Sequence, residues 1–401
     1  MEEAIAAATA QVDAAALRAE SLCDHCLGRL FAKVGKGTND QRGRIVRSIT
    51  ATPLGPCSVC GGLLSELDEL ASLAAKHLGD LQYATFSIGT RVDPSIAVAE
   101  EALWKRLSGV QPETIKGELN REIGKRVAAM TAKAPDIKRP DVTAVVDTQF
   151  GTVDITVAPI YVYGRYRKLD RTIPQTRWPC RACQGKGCER CGGTGKMYPT
   201  SVEEIVSAPL MAMLGGSAHA LHGLGREDID ARMLGRGRPF ILEISEPQRR
   251  TPDLAAVTLA VNQSGQVEVS GLRASSGDEV VQLKEDRCDK TYRLRVKTPP
   301  VDEGKVKEAL AALAAAPIEQ RTPARVSHRR ADLVRRRLVK ALRITAFAGT
   351  EFEIEVTAEA GTYVKELVHG DGGRTQPSLS GLLGLPLTVL ELDVLEVHDE
   401  E

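Results

Sequence analysis

The sequence predicts an α+β protein of more than one domain, and three observations carry that prediction. The chain has 401 residues, and at roughly 100–200 residues per domain that allows two or three separately cored units. Hydrophobic residues make up 42% and charged residues 26%, the balance of a globular chain. Segments with helical periodicity and segments with period-two alternation both recur along the chain, with no internal repeat and no long low-complexity tract.

The elements follow in order. Residues 1–20 are alanine-rich and helical in pattern. Residues 21–65 carry two Cys-x-x-Cys pairs around a basic, glycine-rich stretch, and residues 66–79 regain helical periodicity. From 82 to 165 strands and helices mix. Tyr83 to Gly89 reads as a strand, Ser95 to Leu107 and Glu113 to Ala132 as helices, and Val142–Asp147 with Val153–Val162 as a hairpin turning near Gly151. Tyr161 to Lys168 interleaves tyrosines with basic residues, as an RNA-facing edge or an edge strand guarded by charge would. A cysteine cluster at 180–191 sits in a glycine-rich loop near a boundary, so the division expected is 1–170 and 171–401. Beyond residue 200, strands are expected near 239–245, 255–261, 265–270, 291–297, 342–348, 351–357 and 387–397. Helices are expected over 202–213, 302–315, 328–338 and 364–370.

The formal net charge is zero, so any nucleic-acid affinity must come from local stripes. The densest runs from Arg321 to Arg343 and includes Arg325, His328, Arg329, Arg330, Arg335, Arg336 and Arg337 against a single acid, Asp332. Such a run is a solvated helix face or a phosphate-contacting surface. Acids gather elsewhere, as in the Asp399-Glu400-Glu401 tail. No segment approaches the ~18 apolar residues of a membrane span. The first 20 residues are too acidic for a secretory or transit segment, so a cytoplasmic location is expected.

The nine cysteines divide into four Cys-x-x-Cys pairs and a lone Cys288. Pairs of this kind in a cytosolic chain point to metal rather than disulfides. Cys23, Cys26, Cys57 and Cys60 would surround one tetrahedral Zn²⁺, and four protein ligands leave no open position, so the ion would be structural. His25, inside the first pair, is then unnecessary as a ligand. Cys180, Cys183, Cys188 and Cys191 form a second candidate site, where the glycines let the chain fold back on itself. Cys288 is most simply a packing residue.

The stretch from Leu224 to Gly235 holds three acids, Glu227, Asp228 and Asp230, among arginines, and runs into the apolar strand Phe240-Ile241-Leu242. By composition it is a surface loop with local ion pairs. An acid held beside a fixed cation stays ionised, and an ionised carboxylate can act as a nucleophile. Composition alone does not choose among the three.

Gly225-Arg226-Glu227-Asp228 followed by Asp230-x-Arg232-x-Leu234-Gly235-x-Gly237-Arg238-Pro239-Phe240 resembles the active-site loop of the archaeal-type tRNA pseudouridine synthases acting on uridines 54 and 55, the tenth family of pseudouridine synthases. The resemblance covers most of the chain. It includes Cys26-Leu27-Gly28-Arg29, Ile173 to Cys180, Gln320-Arg321-Thr322-Pro323, Arg325-Val326, His328 to Asp332, and Gly361 to Lys365 through Thr375. It implies that Asp228 is the nucleophile and that Tyr292, in Lys290-Thr291-Tyr292, stacks on the target base. It further implies that Lys365 pairs with the catalytic carboxylate, that Tyr363 lines the base pocket, and that Arg226 fills the gap left by an extruded nucleotide. Without it, Tyr292 would read as a half-buried strand tyrosine with Leu294 and Val296, and Lys365 as a solvated helix-start lysine. The resemblance also implies a THUMP-type RNA-binding module, carried by residues 140–168, extended by the zinc knuckle. A catalytic domain with a mixed, mainly antiparallel sheet flanked by helices would follow. The substrate is then tRNA, with no organic cofactor, no obligate protein partner and a monomer as the expected state.

Two other readings remain. A THUMP-bearing methyltransferase or sulfur-transfer enzyme would need a nucleotide or methyl-donor site, and no P-loop or strand-Gly-x-Gly-x-x-Gly-helix fingerprint is present. A non-catalytic zinc-ribbon RNA-binding or chaperone-like module would suit the second cysteine cluster but leaves the loop at Asp228 unexplained.

Overall fold

The computed structural model describes residues 1–107, 109–329 and 331–399. Arg330 of the arginine stripe and Glu400-Glu401 of the acidic tail lie outside the described residues. The chain forms two compact units. The first is Met1–Pro159 with Glu246–Arg250, and the second is Ile160–Ser245 with the chain from Thr251 onward. Each has its own buried hydrophobic cluster. No helix among the described residues is long and apolar enough to cross a membrane.

In the first unit the alanine-rich start is two helices, Glu2–Thr9 and Ala14–Ala19. The second begins where the Asp13 carboxylate accepts the Ala15 and Ala16 N–H groups. Strands run in the order Ala134–Pro135, Thr85–Arg91, Val142–Asp147, Thr152–Val157. Thr85–Arg91 and Val142–Asp147 are parallel, and the last pair is the expected hairpin. Helices Leu67–Leu78 and Ile115–Thr131 bury their apolar stripes, Leu70, Ala71, Ala74, Leu78 and Leu119, Ile123, Val127, in the same core as the inward residues Phe86, Val142, Ala144 and Val146. The hairpin's second strand ends at Val157, short of the expected Val162.

The second unit is built on an eight-stranded sheet. Its order is Val339–Phe347, Glu351–Ala358, Asp289–Lys297, Thr388–His398, Ala231–Ser245, Ile160–Lys168, Val267–Ser275, with Ala218–Gly223 also paired to Ala231–Ser245. All these pairs are antiparallel except Thr388–His398 with Ala231–Ser245, which is the mixed, mainly antiparallel sheet expected. Ala231–Ser245 serves one neighbour near its start and others further on, and it bends between them at Gly235 and Gly237, with φ of +56° and +82°. A Cβ on Gly235 would lie 1.9 Å from the Leu395 carbonyl oxygen, so only glycine fits that crossing. A small sheet of Val334–Arg337, Ile318–Arg321 and Thr375–Gln376 completes the unit.

Several expectations need correction. Residues 255–261 are not a strand but most of the helix Leu254–Asn262. The run fits both periods, and the Asp253 side chain decides by accepting the Ala255 and Ala256 N–H groups, each at 3.0 Å. Among the described residues of 328–338 the expected α-helix is absent. A short 3-10 turn covers Ala324–Arg329, and Val334–Arg337 is a strand paired with Ile318–Arg321. Asp332 reaches back to Arg321 at 2.6 Å and Arg374 at 2.9 Å, which folds the segment into a hairpin. Tyr161 to Lys168 is not an edge, because it lies between two hydrogen-bonded neighbours. Its basic residues are occupied: Arg165 pairs with Asp399 at 2.7 Å and Lys168 is fully buried. The strand Ala218–Gly223 and the helix Gly277–Glu285 were not anticipated.

Candidate active site

The loop 224–230 leaves the strand Ala218–Gly223 and returns as Ala231–Ser245, and most of its carbonyls are held by side chains from below. Arg238 Nη1 donates to Leu224 O at 2.6 Å and Gln175 Nε2 to Gly225 O at 3.0 Å. Lys168 Nζ donates to Asp228 O at 3.2 Å and Ile229 O at 2.7 Å, and Arg171 to Asp230 O at 3.0 Å. Beneath the loop lies a buried polar cluster. The Arg238 guanidinium meets Glu227 at 2.8 Å with both side chains at most 1% exposed. The Tyr166 hydroxyl donates to the same carboxylate at 2.9 Å and receives the Gln175 amide at 2.8 Å. Burial and Glu227 hold the Tyr166 phenol above its ordinary range. Burial also lowers the Lys168 ammonium, although Glu227 and Asp230 oppose it.

Glu227 is therefore a scaffold residue, tied to Arg238 and Tyr166. Asp228 lines a cavity of about 380 Å³ together with Arg226, Lys290, Tyr292, Arg325, Tyr363 and Lys365, and the Glu227–Arg238 pair borders the same cavity. Its Oδ1 accepts from Arg325 Nη1 at 3.0 Å and its Oδ2 faces Lys365 Nζ at 3.3 Å. Burial works to raise the Asp228 carboxyl, but these two cations more than offset it and the net shift is downward. The pair is thus a device for keeping a partly desolvated carboxylate ionised. Lys365 is shared: it sits closer to Asp230, at 2.8 Å. Arg325 is braced from behind by the buried Glu366 at 2.7 Å.

Tyr292 is 9% exposed, on the inward face of Asp289–Lys297 with Leu294 and Val296. Burial pushes its phenol up to about 12, so it meets a ligand as a neutral ring. Lys290, one inward position earlier on that strand, is lowered to about 8 by burial and by Arg238. Tyr363 caps the helix Val364–His369, and its backbone is clamped on both sides. Gln320 accepts the Tyr363 N–H at 2.9 Å and donates to the Tyr363 carbonyl at 2.9 Å. Arg226 is exposed at the cavity mouth, its guanidinium 5.3 Å from the centre of the Trp178 ring.

The structure brings all five sequence-predicted residues, Arg226, Asp228, Tyr292, Tyr363 and Lys365, to this one cavity. Sequence reasoning missed the part played by Arg325, which it placed in a phosphate-contacting stripe. It also missed Lys168, Gln320 and the Tyr166–Gln175–Glu227–Arg238 cluster. For Arg325 and Gln320 the signal available was their place in motifs that carry the family resemblance.

The two cysteine groups are real clusters. Within each, one ligand atom from every cysteine lies within 4.8 Å of the others. The Sγ–Sγ distances are 3.7 Å for Cys23–Cys60, 4.0 Å for Cys180–Cys188, 3.9 Å for Cys183–Cys191 and 3.7 Å for Cys188–Cys191. A tetrahedron with metal–sulfur bonds of about 2.3 Å has edges of about 3.8 Å, whereas a disulfide is about 2.05 Å. Both donor sets therefore suit a tetrahedral thiophilic ion such as zinc. His25 turns away to Glu118 at 2.8 Å, and buried Arg29 donates to Cys26 Sγ at 3.2 Å. Cys288 packs against the core of the second unit.

A family model described as "Pus10, C-terminal" matches residues 161–398, and one described as "Pus10 THUMP domain, archaeal" matches residues 70–147. The chain belongs to the Pus10 family. Curated relatives named tRNA pseudouridine synthase Pus10 include one from Methanothrix thermoacetophila, 42% identical over 95% of this chain and 92% of that protein. Another, from Methanothermobacter marburgensis, is 46% identical over 94% and 95%. The solved structure titled "Crystal Structure of a Cbf5-Nop10-Gar1 Complex" matches 50% of this chain and 46% of that one at 20% identity with a TM-score of 0.30, too slight a likeness to argue from. Membership in the Pus10 family agrees with the resemblance seen in the sequence, and it places a THUMP domain ahead of the catalytic one.

Proposed function

We propose that this tRNA pseudouridine synthase of the Pus10 family, an isomerase, converts uridine to pseudouridine at positions 54 and 55 of the T loop, with Asp228 as nucleophile. The observation that carries the reading is the Asp228 carboxylate, held ionised between Arg325 and Lys365 in the cavity that Tyr292 lines. The reaction breaks the bond from ribose C1′ to uracil N1 and forms one from C1′ to C5. The C5 proton leaves and N1 gains one. No electrons are transferred, so neither a redox cofactor nor an energy source is called for, and Asp228 attacks ribose C1′ or uracil C6.

The base must first leave its stack, at a cost of a few kcal/mol. Stacking on Tyr292 offsets part of that cost, at roughly 1–3 kcal/mol per stacked base. In this reading Tyr363 closes the pocket, Lys365 and Arg325 hold the carboxylate, and Arg226 enters the space the base vacates. The first unit binds tRNA away from the modified loop. Each four-cysteine cluster holds a structural Zn²⁺, which supplies folding energy and no chemistry. The enzyme works in the cytoplasm as a monomer. The test is an unmodified tRNA transcript, with position 54 or 55 replaced singly by cytidine, incubated with the protein and mapped for pseudouridine. Product confined to the uridines left at these positions supports the reading, and product elsewhere or nowhere overturns it.

A further inference from the structure

The second cysteine cluster has no place in the chemistry above, yet its stem reaches the active-site loop. The stem strands are closed by the Pro179–Lys196 bridge, by Cys180 N–H to Gly195 O at 2.7 Å, and by Met197 N–H to Trp178 O at 3.0 Å. The turn between them is so tight that a Cβ on Gly195 would lie 2.3 Å from the Gly185 carbonyl oxygen, and the four thiols clasp it. Aromatic rings flank the cluster on the two stem strands. Trp178 precedes Cys180 and Tyr198 follows Gly195, with ring centres 5.8 Å apart and planes at 83°. The stem is tied to the helix Val202–Leu214, through Lys196 to Glu204 and through the Arg177 N–H to Glu203 at 3.1 Å. On this braced ring lies the Arg226 guanidinium, at 5.3 Å from the Trp178 centroid. Arg226 is two residues before Asp228 and lines the same cavity.

We propose that the Cys180–Cys191 knuckle is a positioning device for the catalytic centre: its stem presents Trp178 as a fixed platform that holds Arg226 at the mouth of the Asp228 cavity. Trp178 is then a positioning residue that acts through Arg226, and an ion in the knuckle acts through Trp178. The argument for a platform is physical. A long arginine on an exposed loop samples many rotamers, and stacking on a fixed indole face selects one at no cost in charge. The inference rests on the functional reading above for what Arg226 does there, but the contact itself does not.

A double-mutant cycle on the full chain tests it, with kcat/KM for pseudouridine formation as one readout. Trp178→Leu is expected to lower kcat/KM by about two- to fivefold, the range of a surface cation–π contact. Trp178→Phe should recover most of that loss. In the Arg226→Ala background Trp178→Leu should cost nothing more. Equal loss in both backgrounds overturns the proposal, because the platform would then act independently of Arg226. The second readout needs no activity. The chain has two tryptophans, so in a Trp104→Phe background the emission reports Trp178 alone. That emission should change with Arg226→Met and again with Cys183→Ser/Cys191→Ser. Emission indifferent to both changes overturns the proposal even if the enzyme is active. An inactive wild-type protein whose Trp178 emission responds to both changes refutes the functional reading while the platform stands.

Discussion

Replacing Glu227 by glutamine tests how far the buried Glu227–Arg238 pair under the Asp228 loop stabilises the second unit. The Glu227 and Arg238 side chains are 0% and 1% exposed and meet at 2.8 Å. The substitution keeps the shape but removes the negative charge, leaving the Arg238 guanidinium buried without a counter-ion. Breaking a buried pair from one side costs about 3–5 kcal/mol. In a unit of this size each kcal/mol lowers Tm by about 2–4 °C, so a fall of about 6–20 °C is expected in the unfolding transition of the second unit. Differential scanning calorimetry and urea titration read it directly. Replacing both partners, Glu227→Leu with Arg238→Met, should recover part of the loss, because no uncompensated charge remains. Recovery stays partial because the Leu224 carbonyl loses its donor. A loss under about 1 kcal/mol for Glu227→Gln, or a double variant less stable than the single one, would refute the argument that this pair is buried and interdependent.

Further outcomes follow from the same geometry. The Asp228 carboxyl lies below its usual 3.8, so the carboxylate persists above that depressed value and is lost as pH falls through it. The acid limb of the pH–rate profile should therefore lie below the ordinary aspartate range, and Lys365→Met should move it to higher pH in single-turnover assays. Burial and Arg238 lower the Lys290 ammonium to about 8, so the cavity should lose a positive charge as pH rises through that value. tRNA affinity measured by filter binding should weaken across it, and Lys290→Arg should abolish that limb. Gln320→Leu leaves the Tyr363 N–H without its partner, while the Tyr363 carbonyl keeps the Leu367 N–H at 3.0 Å, at about 1–3 kcal/mol for the one group left unpaired. It should raise KM and lower the Tm of the second unit, with the transition of the first unit unchanged. Metal analysis of the purified protein should find about two zinc equivalents per chain, one per four thiolates, and a strong chelator should lower the Tm of the first unit.

Much of the fold was legible because its elements carry unambiguous local signals. The alternation of Tyr292, Leu294 and Val296 inward with Arg293, Arg295 and Lys297 outward names a one-faced strand, and the structure pairs it on both sides. The failures have physical causes. Residues 254–262 satisfy helix and strand patterns alike, and a single capping aspartate settles the matter. The arginine run was read by charge density, but its conformation is set by what the charges meet. Asp332 draws Arg321 and Arg374 together, and Arg325 turns to Asp228 and Glu366. At the candidate site the motif residues were legible, whereas their supports were not. Tyr166, Lys168 and Gln175 lie far from Asp228 in sequence, and nothing in a tyrosine–arginine strand reveals that its lysine will end under a loop 60 residues away.

The central claim is that Asp228, alone among the three acids of its loop, forms the bond to substrate. The most direct measurement is single-turnover pseudouridine formation on tRNA transcript by the wild-type protein and by Asp228→Asn and Asp230→Asn. The account predicts no detectable product with Asp228→Asn, in a protein that still binds tRNA, and product with Asp230→Asn, slowed because Lys365 loses one of its two carboxylates. Product from Asp228→Asn, or its complete loss only in Asp230→Asn, would contradict it.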